Sequence, residues 1–344
     1  MTKVLVTGAG GYIGSQLVRD LVKTGHDVTA VDRFFFGREP LSEFIDNHKV
    51  KIVQKDIRDL TEKDLVGQDA VCDLACLSND PAGEIDPQLT YSINRDGRIH
   101  VAKTAKSAGV GKYIISSSCS VYGKGEESQL SETSKTNPIS VYAKSTLEAE
   151  QQNLSLSDNN FSVTALRNAT VFGLSKRMRF DLVINLMTLS AFNNKRIIVM
   201  GGGNQWRPLI HVSDVSAAFL KVIMEKSTEF NKEIFNIGLN NYTILNLAHI
   251  VRDAIQSNSS HLIEVEIAPD DSDSRNYNVN FEKMNRILNL EPKIDVVEGV
   301  LEIYKALRLG IVDTSSKTNT VQWYRNIIDS KRLIESIQLN GRLI

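Results

Sequence analysis

The sequence predicts an α/β protein built on a doubly wound, parallel sheet, followed by a smaller C-terminal α/β region. Three observations predict it: short β-branched runs alternate with amphipathic stretches through the first half, a glycine-rich turn joins the first strand to the first helix, and an acidic residue closes the second strand. Lys3-Val4-Leu5-Val6-Thr7 reads as the first strand. Gly8-Ala9-Gly10-Gly11-Tyr12-Ile13-Gly14 then turns the chain into the amphipathic Ser15-Gln16-Leu17-Val18-Arg19-Asp20-Leu21-Val22, a helix that Gly25 ends. His26 to Asp32 supplies the second strand, and Lys51-Ile52-Val53-Gln54, Ala70 to Ala75 and Lys112 to Ser117 the third to fifth, with helical segments between them. From about residue 175 the rhythm changes to a basic Lys176-Arg177-Met178-Arg179 loop, a helical Leu182 to Phe192 and short strands separated by longer loops. Phe235-Asn236-Ile237-Gly238 reads as a strand returning to the main sheet, Val297 to Arg308 as a late helix, and Gln322 onward as an exposed tail.

Length and composition bound the function. The chain's 344 residues are too many for one small core, and an apolar content of 42% is ordinary for a soluble protein. Forty basic residues nearly balance forty-one acidic ones, so no global field favours nucleic acid or an anionic membrane, and neither partner is expected. An anionic small molecule would have to be held by local groups. Three cysteines, without a signal segment or an apolar run of about eighteen residues, fit reduced thiols in the cytosol. Cys72 and Cys76 have the spacing of half a metal site, but they lie in an apolar stretch without a second ligand pair, so buried packing and no metal are expected.

The glycine turn carries the first chemistry. Gly8, Gly11 and Gly14 remove side chains where a diphosphate must approach the backbone, and the positive end of the following helix receives it. A glycine triplet alone is weak, but this one follows a strand, opens a helix and precedes Asp32, which stands eighteen residues after Gly14 at a strand tip. Asp32 would accept hydrogen bonds from both ribose hydroxyls of the adenosine half and repel the extra phosphate of NADP, so NAD is the expected cofactor. Arg33 beside it is the residue type by which such sites accommodate that phosphate. Asp56, just after the third strand, stands where a carboxylate contacts the adenine amino group or merely closes a solvated turn; Tyr12, Ile13 and Ile57 complete the expected cofactor set. Residues 1–175, with the returning strand near 234–238, are thus read as a Rossmann dinucleotide-binding domain, 176–320 as a substrate-binding region and 321–344 as a tail.

A second constellation lies at the end of the fifth strand, Ser116-Ser117-Ser118-Cys119-Ser120-Val121-Tyr122-Gly123, and on a later helix, Val141-Tyr142-Ala143-Lys144-Ser145-Thr146-Leu147-Glu148. Together with the Gly8 loop, Arg207-Pro208-Leu209-Ile210-His211-Val212 and Asp273-Ser274-Arg275-Asn276-Tyr277, it resembles the NAD-dependent nucleotide-sugar epimerase/dehydratase family of the extended short-chain dehydrogenase/reductases, over roughly residues 3 to 300. The resemblance implies that Tyr142 takes the sugar hydroxyl proton while hydride leaves for the nicotinamide, and that Ser118 hydrogen-bonds the reacting oxygen. It implies Arg207 and Arg275 as clamps on the diphosphate of a nucleotide-diphosphate sugar. It also implies Asn168 and Asn185 near the sugar or its phosphates, and Ser78 and Asn79 at the border of nicotinamide and sugar. His211 is read as structural, and Phe34-Phe35-Phe36 as packing, an adenine cover or a subunit contact. Homodimers, and a place in cell-surface polysaccharide or glycoside biosynthesis, are expectations from the same resemblance.

One position departs from the pattern. The family motif is Tyr-x-x-x-Lys, whose lysine binds the nicotinamide ribose and lowers the tyrosine pKa, yet the fourth residue after Tyr142 is Thr146. Lys144 does not replace it, because two residues along a helix turn about 200° and carry its stem off the face shared by 142 and 146. Three readings stay open: the oxidised nicotinamide alone lowers the phenol pKa, the position was changed to slow turnover, or catalysis has been lost. Thr146 keeps a hydroxyl for the ribose in each.

The reaction narrows further at the serine. Family members that eliminate water across the sugar's 4- and 6-positions carry an Asp-Glu pair directly after the serine or threonine, where this chain has Cys119 and Ser120. The expected function is therefore an NAD-dependent epimerase acting by transient oxidation to a keto sugar and hydride return. A nucleotide-sugar keto-reductase or dehydrogenase, and a catalytically impaired protein that binds NAD and nucleotide sugar, are the alternatives.

Overall fold

In the computed structural model, which describes residues 2–125, 127–225, 229–269 and 275–343, the early strands form where the aliphatic runs predict them. They are β1 (Lys3–Thr7), β2 (Asp27–Asp32), β3 (Val50–Gln54), β4 (Ala70–Asp73), β5 (Lys112–Ser118) and β6 (Ser162–Asn168). Short strands of the second half follow: β7 (Thr170–Phe172), β8 (Arg196–Val199), β9 (Trp206–His211), β10 (Ile234–Ile237), β11 (Asn240–Thr243) and β12 (Glu264–Ile267). The main sheet has the order β10-β6-β5-β4-β1-β2-β3, and every pair in it is parallel. This is the doubly wound α/β fold, with the reversal of strand order between β1 and β4, the place where such sheets open a crevice.

Alternation along β1 shows why both faces must be covered. Val4 and Val6 join a cluster with Leu17, Val18, Leu21 and Phe219, whereas Leu5 points to the opposite layer of Val101, Ala105, Tyr113 and Ala149. The first layer comes from the helices Tyr12–Lys23 and Val212–Met224, the second from Arg98–Ser107 and Val141–Ser155. The main sheet therefore takes a helix as well as a strand from the second half: Ser216 Oγ donates to Asp20 Oδ2 at 2.7 Å, and β10 pairs with β6. The remaining second-half elements make their own core around Phe172, Ile184, Leu209, Leu247, Val251 and Val300.

Two sequence expectations differ from the structure. The fourth strand ends at Asp73 rather than Ala75, because the Leu74 and Ala75 amides leave the ladder and donate to Thr7 Oγ1 at 3.1 and 3.2 Å. Thr7 Oγ1 in turn donates to Asp73 Oδ1 at 2.7 Å, and Arg98 Nε reaches Asp73 Oδ2 at 2.8 Å, so this buried ion pair ties β1 and β4 to a helix behind the sheet. The expected tail is instead the helix Thr320–Ile337, started by Asn319, whose side chain accepts from the Gln322 amide at 3.0 Å. Its far end is exposed, but its first turn packs inward: Trp323 Nε1 donates to Phe35 O at 2.6 Å.

Candidate functional site

The carboxyl ends of β1, β2, β4 and β5 open on one cavity of about 260 Å³, lined by Gly8, Gly11, Tyr12, Ile13, Gly14, Asp32, Arg33, Asp56 and Ile57 at one end and by Ser118, Tyr142 and Asn168 at the other. At the glycine end, backbone shape decides what fits. Gly8 has φ +66°, and a Cβ there would lie 2.9 Å from the Leu74 and Ala75 backbone; one on Gly14 would lie 2.0 Å from Gly8 O. No side chain caps the Tyr12–Lys23 helix at Gly11, which leaves its first-turn amides as donors toward the cavity end.

Asp32 is braced by amides, accepting from Gly10 N at 2.9 Å and from Phe34 N at 2.6 Å, the latter with Phe34 at φ +57°. Burial holds its carboxyl above the usual carboxylate value, against the pull of those amide bonds. Asp56 lines the cavity while accepting from Arg58 N and Nε at 2.9 Å and from Arg33 Nη1 at 2.8 Å. These contacts, the Arg58 guanidinium first, hold its carboxyl well below the usual range. Arg33 thus bends toward Asp56 and stacks on Phe35 at 4.6 Å.

At the opposite end, Ser140 caps the Val141–Ser155 helix by accepting from Ala143 N at 3.1 Å, and this start aims Tyr142 at the cavity. Gly83 packs against its back: a Cβ there would come within 3.0 Å of Tyr142 Cβ. Burial pushes the Tyr142 phenol above its ordinary value, with the Cys76 thiol and Asp80 adding to it and a hydrogen bond with Ser118 and the Arg98 charge opposing. Ser118 Oγ also accepts from Ser120 N at 3.1 Å. Asn168 donates to Ser116 Oγ at 3.0 Å, while its buried Oδ1 has no partner. The buried Ser120 hydroxyl, on the same cavity wall, is equally unpartnered.

Several expected site residues lie elsewhere. Thr146 shares the helix face but does not line the cavity; it is 1% exposed, and its hydroxyl has no partner. Lys144 is exposed, as the helical geometry predicts. Asn185 is not a pocket residue, because its amide is used in bracing: Oδ1 accepts from Gly173 N at 3.1 Å, and Nδ2 donates to Tyr12 Oη and Arg179 O. Arg207 also stands off the cavity wall, donating to Arg275 O at 2.6 Å and lying over the Tyr277 ring. Arg275 does line it, paired with Asp80; Asp273 and Ser274 of the same motif lie outside the described residues. Ser78 accepts from Arg179 Nη1 at 3.1 Å, and Asn79 donates to Asp181 Oδ2 at 2.8 Å, both at the cavity rim. Cys76 lines the cavity instead of packing away like Cys72 and Cys119. His211 is structural, held by Glu302 at 2.7 Å and capping the next helix through Nδ1.

Sequence reasoning marked the basic loop within the substrate-binding region but assigned none of its arginines to the site. Arg177 and Arg179 both line the cavity, and Arg179 forms a two-point ion pair with Asp181 at 3.0 and 2.7 Å. It missed Tyr324 as well, which reaches the cavity from the C-terminal helix. Among the described residues no group of three His, Cys, Asp or Glu side chains is placed to hold a metal, and no helix is long and apolar enough to cross a membrane.

The close-approach glycines, the uncapped helix and the braced Asp32 fit a dinucleotide, with unpartnered Asn168 and Ser120 oxygens at its far end. Comparison with known proteins agrees. Residues 4–238 match the NAD dependent epimerase/dehydratase family. UDP-glucuronic acid decarboxylase 1 of Arabidopsis thaliana is 28% identical over 322 residues, covering 90% of this chain and 71% of that protein. Among solved structures, UDP-glucose 4-epimerase of Thermotoga maritima with UDP-glucose superposes with TM-score 0.77 at 25% identity, covering 90% of this chain and 99% of its own. UDP-glucuronic acid 4-epimerase of Bacillus cereus, in complex with UDP-glucuronic acid and NAD, shares the fold with TM-score 0.80 at 22% identity over 89% of this chain and 99% of that one.

Proposed function

The chain belongs to the NAD dependent epimerase/dehydratase family, with NAD as its cofactor, and from that premise we propose that it epimerises a nucleotide-diphosphate sugar. The observation that carries the reading is Tyr142 beside Ser118 in the same cavity as the glycine turn, with no acidic pair after Ser118. NAD, held along the glycine turn and Asp32, would supply the hydride acceptor and donor for the sugar carbinol carbon, and inversion requires the keto sugar to present its opposite face before the hydride returns. Tyr142 Oη takes the hydroxyl proton in the first half of the cycle and gives it back in the second, and Ser118 Oγ holds the sugar oxygen in line with that phenol. Cys119 Sγ donates to Arg167 O at 3.2 Å and Ser120 offers only a neutral hydroxyl, so neither supplies the extra acid and base that elimination of water requires. Arg275 is proposed to meet the substrate diphosphate, with Asn168 Oδ1 accepting from a sugar hydroxyl.

A decarboxylase reading shares the oxidation step and is favoured by the decarboxylase relatives at 26–28% identity. The discriminating experiment incubates the protein with NAD and a panel of nucleoside-diphosphate hexoses, hexosamines and uronic acids, and follows products by NMR. A new epimer without loss of carbon supports the proposal; carbon dioxide released from a uronate replaces it with decarboxylation. Three unbridged cysteines support a reducing compartment, so a cytosolic site of action and a homodimeric state belong to the proposal and are checked by fractionation and light scattering.

A further inference from the structure

Arg177 is a buried cation whose hydrogen-bonding capacity is not used up. It is 6% exposed and lines the cavity that holds the glycine turn and Asp32. One edge of its guanidinium is fastened to the start of the C-terminal helix, where Nη2 donates to Thr320 Oγ1 at 2.9 Å and to Lys317 O at 3.5 Å. Its face lies 3.7 Å from the centroid of Phe36, whose ring packs on Tyr324 at 5.4 Å. Its Nε, by contrast, is buried without any partner. Burial and the neighbouring Arg179 charge lower the Arg177 pKa to about 10, so the group remains cationic at neutral pH but in surroundings that favour a counter-anion. A buried donor on a charged group without an acceptor is costly, and an anion entering the cavity removes that cost. Asp32 and Asp181 are the acidic side chains that face this guanidinium, and Arg179 already pairs with Asp181.

We propose that Arg177 clamps the diphosphate of the bound dinucleotide and that the Thr320–Ile337 helix, which fastens Arg177, is the closure over the cofactor. With Nη2 fastened to Thr320 and Lys317, the guanidinium plane is fixed, and its free Nε–H can donate to a phosphate oxygen while the delocalised charge faces the diphosphate. The closure is completed on its other side by Trp323, whose indole N–H holds the Phe35 carbonyl, and by Tyr324, which reaches the cavity wall. The clamp rests on NAD binding and holds whether the sugar is epimerised, decarboxylated or reduced.

The test separates phosphate from nucleoside. Calorimetric titration of the full chain, stripped of nucleotide, is made with NAD, ADP and adenosine for the native protein, Arg177→Met and Arg177→Lys. Methionine keeps much of the stacking volume over Phe36 and removes the charge; lysine keeps the charge without the fork. Loss of a charge-assisted hydrogen bond predicts roughly 10- to 100-fold weaker ADP and NAD for Arg177→Met, with adenosine unchanged and Arg177→Lys between the two. An unchanged ratio of ADP to adenosine affinity overturns the clamp while leaving the cofactor intact. Native protein that binds neither ADP nor NAD overturns the cofactor assignment and the clamp together. The closure predicts that NAD slows tryptic cleavage after Lys317 in the native chain but not in Thr320→Val; cleavage indifferent to NAD overturns it.

Discussion

Replacing Thr146 by lysine tests whether the missing charge limits this protein. Thr146 lies one turn after Tyr142, buried, with a hydroxyl that bonds nothing, so the substitution removes no side-chain hydrogen bond. The phenol it faces is held above its ordinary value by burial first, with Cys76 and Asp80 adding to it. An ammonium within about 4–6 Å of a phenolate lowers the phenol pKa by about 1–3 units, each worth about 1.4 kcal/mol. While the phenol titrates far above neutrality, each unit multiplies the tyrosinate fraction at neutral pH about tenfold, and a rate limited by that base should follow it. Part of the gain is lost because a phenolate of lower pKa is a weaker base, and the longer side chain separately costs about 1–3 kcal/mol of folding stability. We therefore expect kcat/KM at neutral pH to rise about 10- to 100-fold, the ascending limb of its pH profile to move down toward neutral pH, and Tm to fall. Difference ultraviolet titration against Tyr142→Phe isolates this one phenol among nine tyrosines and reads the shift without a substrate. A folded, NAD-retaining lysine variant with an unmoved titration and an unmoved rate profile would refute the reasoning, because the phenol would then not be the limiting base.

Tyr142→Phe should retain NAD and reduce turnover about 100- to 10,000-fold, measured with the same product assay. Gly14→Ala would drive a Cβ to 2.0 Å from Gly8 O, so the turn must move; loss of retained NAD on gel filtration and a lower Tm are expected. Asp73→Ala removes the partner of a fully buried Arg98 and should cost about 3–5 kcal/mol in urea unfolding. Asp32 must be ionised to accept from a ribose, and burial raises its pKa, so NAD affinity is full above that raised pKa and falls as pH drops through it. The loss should begin at a higher pH than for an ordinary aspartate, and Asp32→Asn should flatten the profile.

The parts of the fold that were legible in the sequence are those whose signals are local. Val4 to Val6, the Gly8–Gly14 turn and Asp32 lie within one strand-turn-helix-strand unit, and their pattern determines both the sheet and its cofactor end. The candidate site was legible only where a motif marked it. Asn185 matched by position but spends its amide on Gly173 and Tyr12, an arrangement that depends on residues more than 170 apart in the chain. Arg177 and Tyr324 carried no motif, and their roles arise from a helix that meets Phe35 across 288 positions. The apolar spacing of Val321, Tyr324, Ile327 and Ile328 was the one available sign that the tail is a helix with an inward face.

The returning strand bears on how the chain is made. β6 finds its outer neighbour only when Ile234–Ile237 arrives, and the helix beside Tyr12–Lys23 comes from Val212–Met224. A nascent chain halted at residue 175 would expose the backbone edge of Ser162–Asn168 and the apolar side of its first helix, both sticky surfaces. The nucleotide half thus cannot complete itself ahead of the rest during synthesis, and separating the halves at that point should yield an aggregating fragment.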